Sequence, residues 1–300
     1  MLDLGQLLKP RQNSSVGMVF RRIKSQHFIE ELQTDGHHPL KIQADDGSVY
    51  FCKYMTQMKR EEIDCLFYEL VCHALLIWLG IPSPELAFME IDPQHLDPNK
   101  ITFNRKLLRQ KTWVLAIKML LDTELVTGLS HLSKKSHIKK FLDPYLLIKI
   151  AFFDLWVDNM DRGVNKERVE NYNLLVHSQM VSNKIWFTWV PIDHAFCFGG
   201  LSLLRILNHT FMPEPSHKLV ESPYFQQYFR LLNKNQLVST VDNFLPLSSI
   251  SEVDGIIRKV YSQLPVEWEI PEHVSPRLIY FLSDTSRLQR ARYLVKDSLK

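Results

Sequence analysis

The sequence predicts an α+β fold in two unequal parts, a small β-rich one followed by a larger, mostly helical one. Two observations lead there. Apolar and polar residues alternate with strand period through residues 17–54, and long apolar runs with helical spacing take over from 137 onward. The expected boundary divides the chain into 17–125 and 126–300. At 300 residues and 45% hydrophobic, the chain can bury one large core or two modest ones. A net charge of +3 is too small to argue for nucleic acid or a membrane surface. Proline and glycine are scattered, which leaves no low-complexity stretch.

The first segment, "MLDLGQLLKPRQNSSVG", carries an early acid and no apolar core of the kind a signal peptide needs. The longest apolar stretch, "YLLIKIAFFDLWV", is too short for a bilayer and is broken by Lys149 and Asp154. Cys52, Cys65, Cys72 and Cys197 form no CxxC pair and read as free thiols of a reducing compartment. The expectation is a soluble cytoplasmic protein.

The elements follow in order. "PLKIQADDGSVYFCKY" is two alternating runs around Asp45-Asp46-Gly47, a hairpin turn. Val49, Phe51 and Lys53 share one face of the second strand, so Lys53 points towards an interior or a cleft. "KREEIDCLFYELVCHALLIWLGI" has helical spacing at Ile63, Phe67, Leu70, Ala74 and Ile77, and Gly80 with Pro82 closes it. Glu69 flanks that apolar stripe. "ELAFMEI" and "TWVLAIKML" read as two more strands.

"IKKFLDPYLLIKIAFFDLWVDNM", residues 138–160, reads as one long apolar helix. A polar knot follows, with Asp154, Asp158, Asn159, Asp161, Arg162, Asn171 and Asn173 set against apolar neighbours. Polar groups at the edge of a core cost free energy unless paired or used. Asp154 and Asp158 are expected to tie the helix to the loop. "YNLLVHS" and "KIWFTWVPI" form strands ending at Asp193, with His194 expected in the core or beside the site. Residues 201–300 read as helices interrupted by prolines. The basic runs around Lys139 and along Arg287, Arg290, Arg292 and Lys296 read as solvated faces.

Strand lysine, helix glutamate, loop aspartate, asparagine before a strand and a later aspartate stand in the order that protein-kinase-type phosphotransferases need. In detail, "DLWVDNMDR…NYNLLV…VPIDHAF" resembles the HipA-like kinase family, specifically its short bacterial members. "DGHHPLKIQADDGSVYFCKY", "YELVCHALLIWLGIPSPEL" and "LPVEW" resemble that family's phosphate loop, lysine strand, glutamate helix and C-terminal motif.

The resemblance implies a two-lobed protein-kinase-like fold that binds ATP and Mg²⁺ and acts on a serine or threonine of a protein. A lipid or small-molecule hydroxyl, or a pseudokinase that binds without turnover, are the alternatives. It implies Asp161 as the residue positioning the acceptor and Lys53 with Glu69 at the phosphates. Backbone N–H groups of Gly36 to His38 would form an anion nest, and Lys118 would reach the nucleotide. Asn173 and Asp193 would hold the metal. The charged insertion "NKERV" shifts the expected amide, leaving Asn171 as the other candidate.

Overall fold

The computed structural model describes residues 18–34, 38–54, 60–127, 135–159, 161–164, 170–200, 202, 204–214 and 219–300. The N-terminal segment, Gly36 and the insertion at 165–169 lie outside the described residues.

The chain begins with β1 (Arg21–Glu31), β2 (Leu40–Ala44) and β3 (Val49–Lys53). The β2–β3 turn is the one expected: Gly47 sits at φ +80°, and Asp46 Oδ1 accepts the Ser48 N–H at 2.9 Å. Helix α1 (Arg60–Trp78) follows. It stops at Gly80, whose φ of +71° lets the Ile81 N–H fold back onto the Leu76 carbonyl at 2.8 Å. Then come β4 (Leu86–Ile91) and β5 (Thr112–Lys118).

These five strands close into a barrel in the order β1-β2-β3-β5-β4, with β1 and β4 parallel and every other pair antiparallel. Closure leaves no sheet edge unpaired. Strand alternation then sorts the side chains. Ile42, Tyr50, Cys52, Met89 and Ala116 fill the barrel, while Lys53 and its partner Leu115 face outward.

The chain continues through β6 (Thr123–Leu125), the short α2 (Lys135–Ile138) and α3 (Leu146–Trp156). Helix α3 is shorter than expected. Pro144 lacks the N–H that a continuous helix would use. Asp143 instead accepts from the Tyr145 N–H and from Lys149 Nζ, both at 2.8 Å. At the other end Asp158 turns left-handed, φ +50°. All of α3 but Lys149 is buried, as befits a helix apolar all round.

Two short strands, β7 (Gly163–Val164) and β8 (Glu170–Asn171), pair with each other. The hairpin of β9 (Leu174–Val181) and β10 (Lys184–Pro191) turns at Ser182 and Asn183, both at positive φ as a two-residue turn requires. With β6 it makes a second sheet in the order β10-β9-β6. The remainder is α4 (Pro223–Arg230), α5 (Lys234–Phe244), α6 (Glu252–Tyr261), α7 (Val274–Ser283) and α8 (Thr285–Asp297).

A single apolar cluster runs from Phe20 through Phe67 of α1 and Phe153 of α3 to Leu288 of α8. It joins the barrel to the helices. The "LPVEW" motif is part of that joint: Trp268 sits edge-on against Phe88 of β4, centroids 5.4 Å apart, and donates to the Trp113 carbonyl at 3.1 Å. Gln263 accepts from the Phe20 N–H at 2.8 Å.

The expectation of a solvated α8 face fails at Arg287. Its side chain is fully buried and its guanidinium lies 3.7 Å from the Phe281 ring centroid. A guanidinium stacks on an aromatic face readily, and burial lowers its pKa to about 10. All four cysteines are buried free thiols. Among the described residues no helix is long and apolar enough to cross a membrane.

Candidate active site

Lys53 ends β3 on the outward face, and α1 packs there. Its ammonium donates to both Glu69 oxygens, at 3.1 and 2.9 Å, and to Asp193 Oδ1 at 3.0 Å. Lys53 and Glu69 are both buried, while the Asp193 side chain is about one-third exposed. Burial works against the Lys53 charge, but Asp193 and Glu69 together outweigh it and raise its pKa. A buried cation with two carboxylates stays charged.

Asp193 follows β10 with φ +55°, and Asn173 precedes β9 with φ +43°. Asparagine and aspartate tolerate this region better than most side chains. One backbone bond ties the two turns: the Ile192 N–H donates to the Asn173 carbonyl at 2.9 Å. The amide and the carboxylate therefore start from facing ends of one hairpin.

Asp161 lies in the loop after α3. Asn171 Nδ2 donates to its Oδ1 at 3.0 Å and Asn173 Nδ2 to its Oδ2 at 2.9 Å. Asn159 Oδ1 accepts the Asp161 N–H at 3.1 Å, which fixes the backbone beneath the carboxylate. Burial, then repulsion from Asp193, raises the Asp161 pKa against the pull of the two amides.

Beneath this cluster sits a second one. Arg162 is fully buried, and its Nε pairs with Asp154 Oδ2 of α3 at 2.8 Å. Its Nη1 donates to the carbonyls of Tyr172 (2.7 Å) and Asn173, and its Nη2 to that of Ile192 (3.0 Å). The same Nη2 lies 3.0 Å from His194 Nε2. An arginine can only donate, so that nitrogen accepts and His194 is neutral. Burial and the Arg162 charge accordingly push the His194 pKa well down. Asp158 pairs with Arg205 at 3.2 Å through both oxygens.

Of the residues expected at the site, Lys53, Glu69, Asp161, Asn171, Asn173 and Asp193 come together. Asp154 and His194 lie in the cluster around Arg162, and Asp158 pairs with Arg205. Lys118 does not join them. In the β3–β5 register it faces Tyr50, on the side of the strand opposite Lys53, and it pairs with Glu85 at 3.3 Å. His38 has φ +44°, and its ring stacks on Phe103 with centroids 3.6 Å apart. Its carbonyl accepts from Asn104 Nδ2 at 2.7 Å. Gly36 lies outside the described residues.

Arg162 is the residue that sequence reasoning undervalued, naming it only as one member of the polar knot. An unmatched acid inside an apolar helix, Asp154, was the available signal. Such a carboxylate needs a cation from elsewhere in the chain.

A helix-tethered lysine, a loop carboxylate, an amide before a strand and a carboxylate after the next are the working parts of a kinase. The sequence matches the HipA-like kinase family over residues 27–273, and the chain belongs to that family. No curated protein matches it. Among solved structures, the Golgi casein kinase with Mn/ADP bound is similar at 9% identity and a TM-score of 0.48, over 91% of this chain and 73% of that one. The Helicobacter pylori proinflammatory kinase CtkA is similar at 14% identity and a TM-score of 0.46, over 94% of this chain and 98% of that one.

Proposed function

We propose that the chain transfers the γ-phosphoryl group of ATP, with Mg²⁺, to a serine or threonine hydroxyl of a protein in the cytoplasm. Residues 17–125 would form the phosphate-binding lobe and 126–300 the catalytic lobe. The observation that carries this reading is the convergence of Lys53, Glu69, Asp161, Asn173 and Asp193 from four separate segments onto one polar cluster.

The donor set suits a hard cation held mainly by its substrate. Asp193 and Asn173 offer carboxylate and amide oxygens. Among the described residues no group of three or more His, Cys, Asp or Glu could cage a metal alone. Phosphate oxygens and water would complete the shell. When bound, the cation neutralises charge on the phosphates.

Lys53 then exchanges Asp193 for phosphate oxygen while Glu69 keeps its ammonium in place. Asp161 accepts the hydrogen bond of the incoming hydroxyl and aligns its oxygen with the γ-phosphorus. The new O–P bond forms as the bond to the β-phosphate oxygen breaks. ADP leaves with that electron pair, and the hydroxyl proton passes to Asp161. Catalysis comes from positioning and charge, with no covalent enzyme intermediate.

The test is purified protein with labelled ATP, Mg²⁺ and a cell lysate, beside Asp161→Ala. Label on protein serine or threonine with the wild type alone supports the reading. Label on lipid or small molecules redirects the acceptor class. No transfer to any acceptor, with ATP still bound, leaves a pseudokinase.

A further inference from the structure

The two asparagines that flank Asp161 belong to different ladders, and this separates their tasks. We infer that Asn171 is a positioning residue for Asp161, leaving the metal to Asn173 and Asp193; the inference rests on the kinase reading above. Asn171 ends β8, where it pairs with Gly163, two residues after Asp161. Asn173 instead adjoins the β9–β10 ladder and shares a backbone bond with Ile192, the neighbour of Asp193. One amide is thus built onto the catalytic loop and the other onto the end of the metal hairpin.

The side chains of Asn171 and Asn173 both reach Asp161, while that of Tyr172 between them turns into the core. Tyr172 is buried, packed edge-on against Phe225 at 5.5 Å, and its carbonyl is held by Arg162. That anchor fixes both amides at the Asp161 carboxylate. An ionised carboxylate can only accept, so each amide turns its N–H there and its carbonyl elsewhere. Held at both oxygens, Asp161 cannot rotate about its last bond. The ladder that delivers Asn171 flanks the insertion 165–169.

Asn171→Ala, Asn171→Asp and Asn173→Ala would be compared for ATP affinity with and without Mg²⁺, for the rate of transfer at saturation, and for melting temperature. Asn171→Ala should leave Mg²⁺-dependent ATP affinity within about threefold of wild type, while kcat falls about tenfold or more, as loss of orientation costs. Asn173→Ala should lose the Mg²⁺ enhancement itself. Asn171→Asp sets a carboxylate against Asp161 and should cut kcat further with no gain in metal affinity. A tighter metal in Asn171→Asp, or loss of Mg²⁺ enhancement in Asn171→Ala, would overturn the assignment and make Asn171 a ligand. Unchanged kcat in Asn171→Ala also overturns it. A folded wild type that binds no ATP with Mg²⁺ would defeat the kinase reading underneath.

Discussion

Two polar clusters lie side by side in this protein and serve opposite ends. Asp154, Asn159, Arg162 and His194 are each nearly or fully buried, and Arg162 spends its donors on a carboxylate, a histidine and carbonyls from two strand ends. Asp161 and Asp193 are only partly buried, and Lys53 bridges two acids at once. The first cluster is buried and turned inward on its own partners. The second consists of groups whose present partners, on the proposed reading, phosphate, metal and a hydroxyl would replace. Adjacent residues in sequence, Asp161 and Arg162, fall on opposite sides of that divide.

The sharpest way to break the comparison is Asp161→Asn. Stability should hold while transfer falls about 100- to 10,000-fold, the range for losing a positioned base. A drop in melting temperature with transfer lost only in proportion would move Asp161 to the structural cluster. Arg162→Met is the mirror experiment. It strands Asp154 without its cation, and removing one partner of a buried pair costs about 3–5 kcal/mol, which denaturant unfolding would register even without ATP.

Lys53→Ala should abolish most of the rise in melting temperature that ATP with Mg²⁺ gives the wild type, since that rise measures binding to the folded state. A wild-type-sized shift would take Lys53 out of the site.

A pH series separates the clusters further. The raised Asp161 pKa means that the free protein loses the carboxylate that transfer needs at a higher pH than an ordinary aspartate would, an acid limb read in kcat/KM. The same raised pKa makes the native state bind this proton more tightly than the unfolded chain does. Asp161 therefore adds stability, and removes none, as the pH falls through that window. A kcat/KM profile whose acid limb lies at or below the ordinary aspartate value would contradict the assignment.

The smallest effect is expected at Lys118→Ala: ATP affinity unchanged, and stability within about 0.5 kcal/mol, as for an exposed pair.

Much of this was legible from the sequence because it is local. The turn at Gly47, the stop at Gly80 and the face that Lys53 shares with Val49 and Phe51 follow from two or three residues and the strand period. The carboxylates and amides were legible as a set in order along the chain. What escaped depends on pairings across long separations. The parallel contact of β1 with β4 closes the barrel, yet no local pattern announces it. The face that Lys118 takes depends on the β3–β5 register, which a single strand does not reveal. Arg162 looked like one more member of the polar knot. Its true partner, Asp154, becomes apparent only once α3 is folded beside it.

The bond between Gln263 and the backbone at Phe20 also has a consequence in time. The barrel's first strand meets its support 243 residues later in the chain. A ribosome adding about 5–20 residues per second finishes β1 roughly ten to fifty seconds before Gln263 and Trp268 exist to receive it. Until then the edge of Phe88 that meets Trp268 and the backbone N–H of Phe20 lack these partners. A nascent chain halted before residue 263 should present that edge to holding chaperones, and one released beyond residue 268 should not.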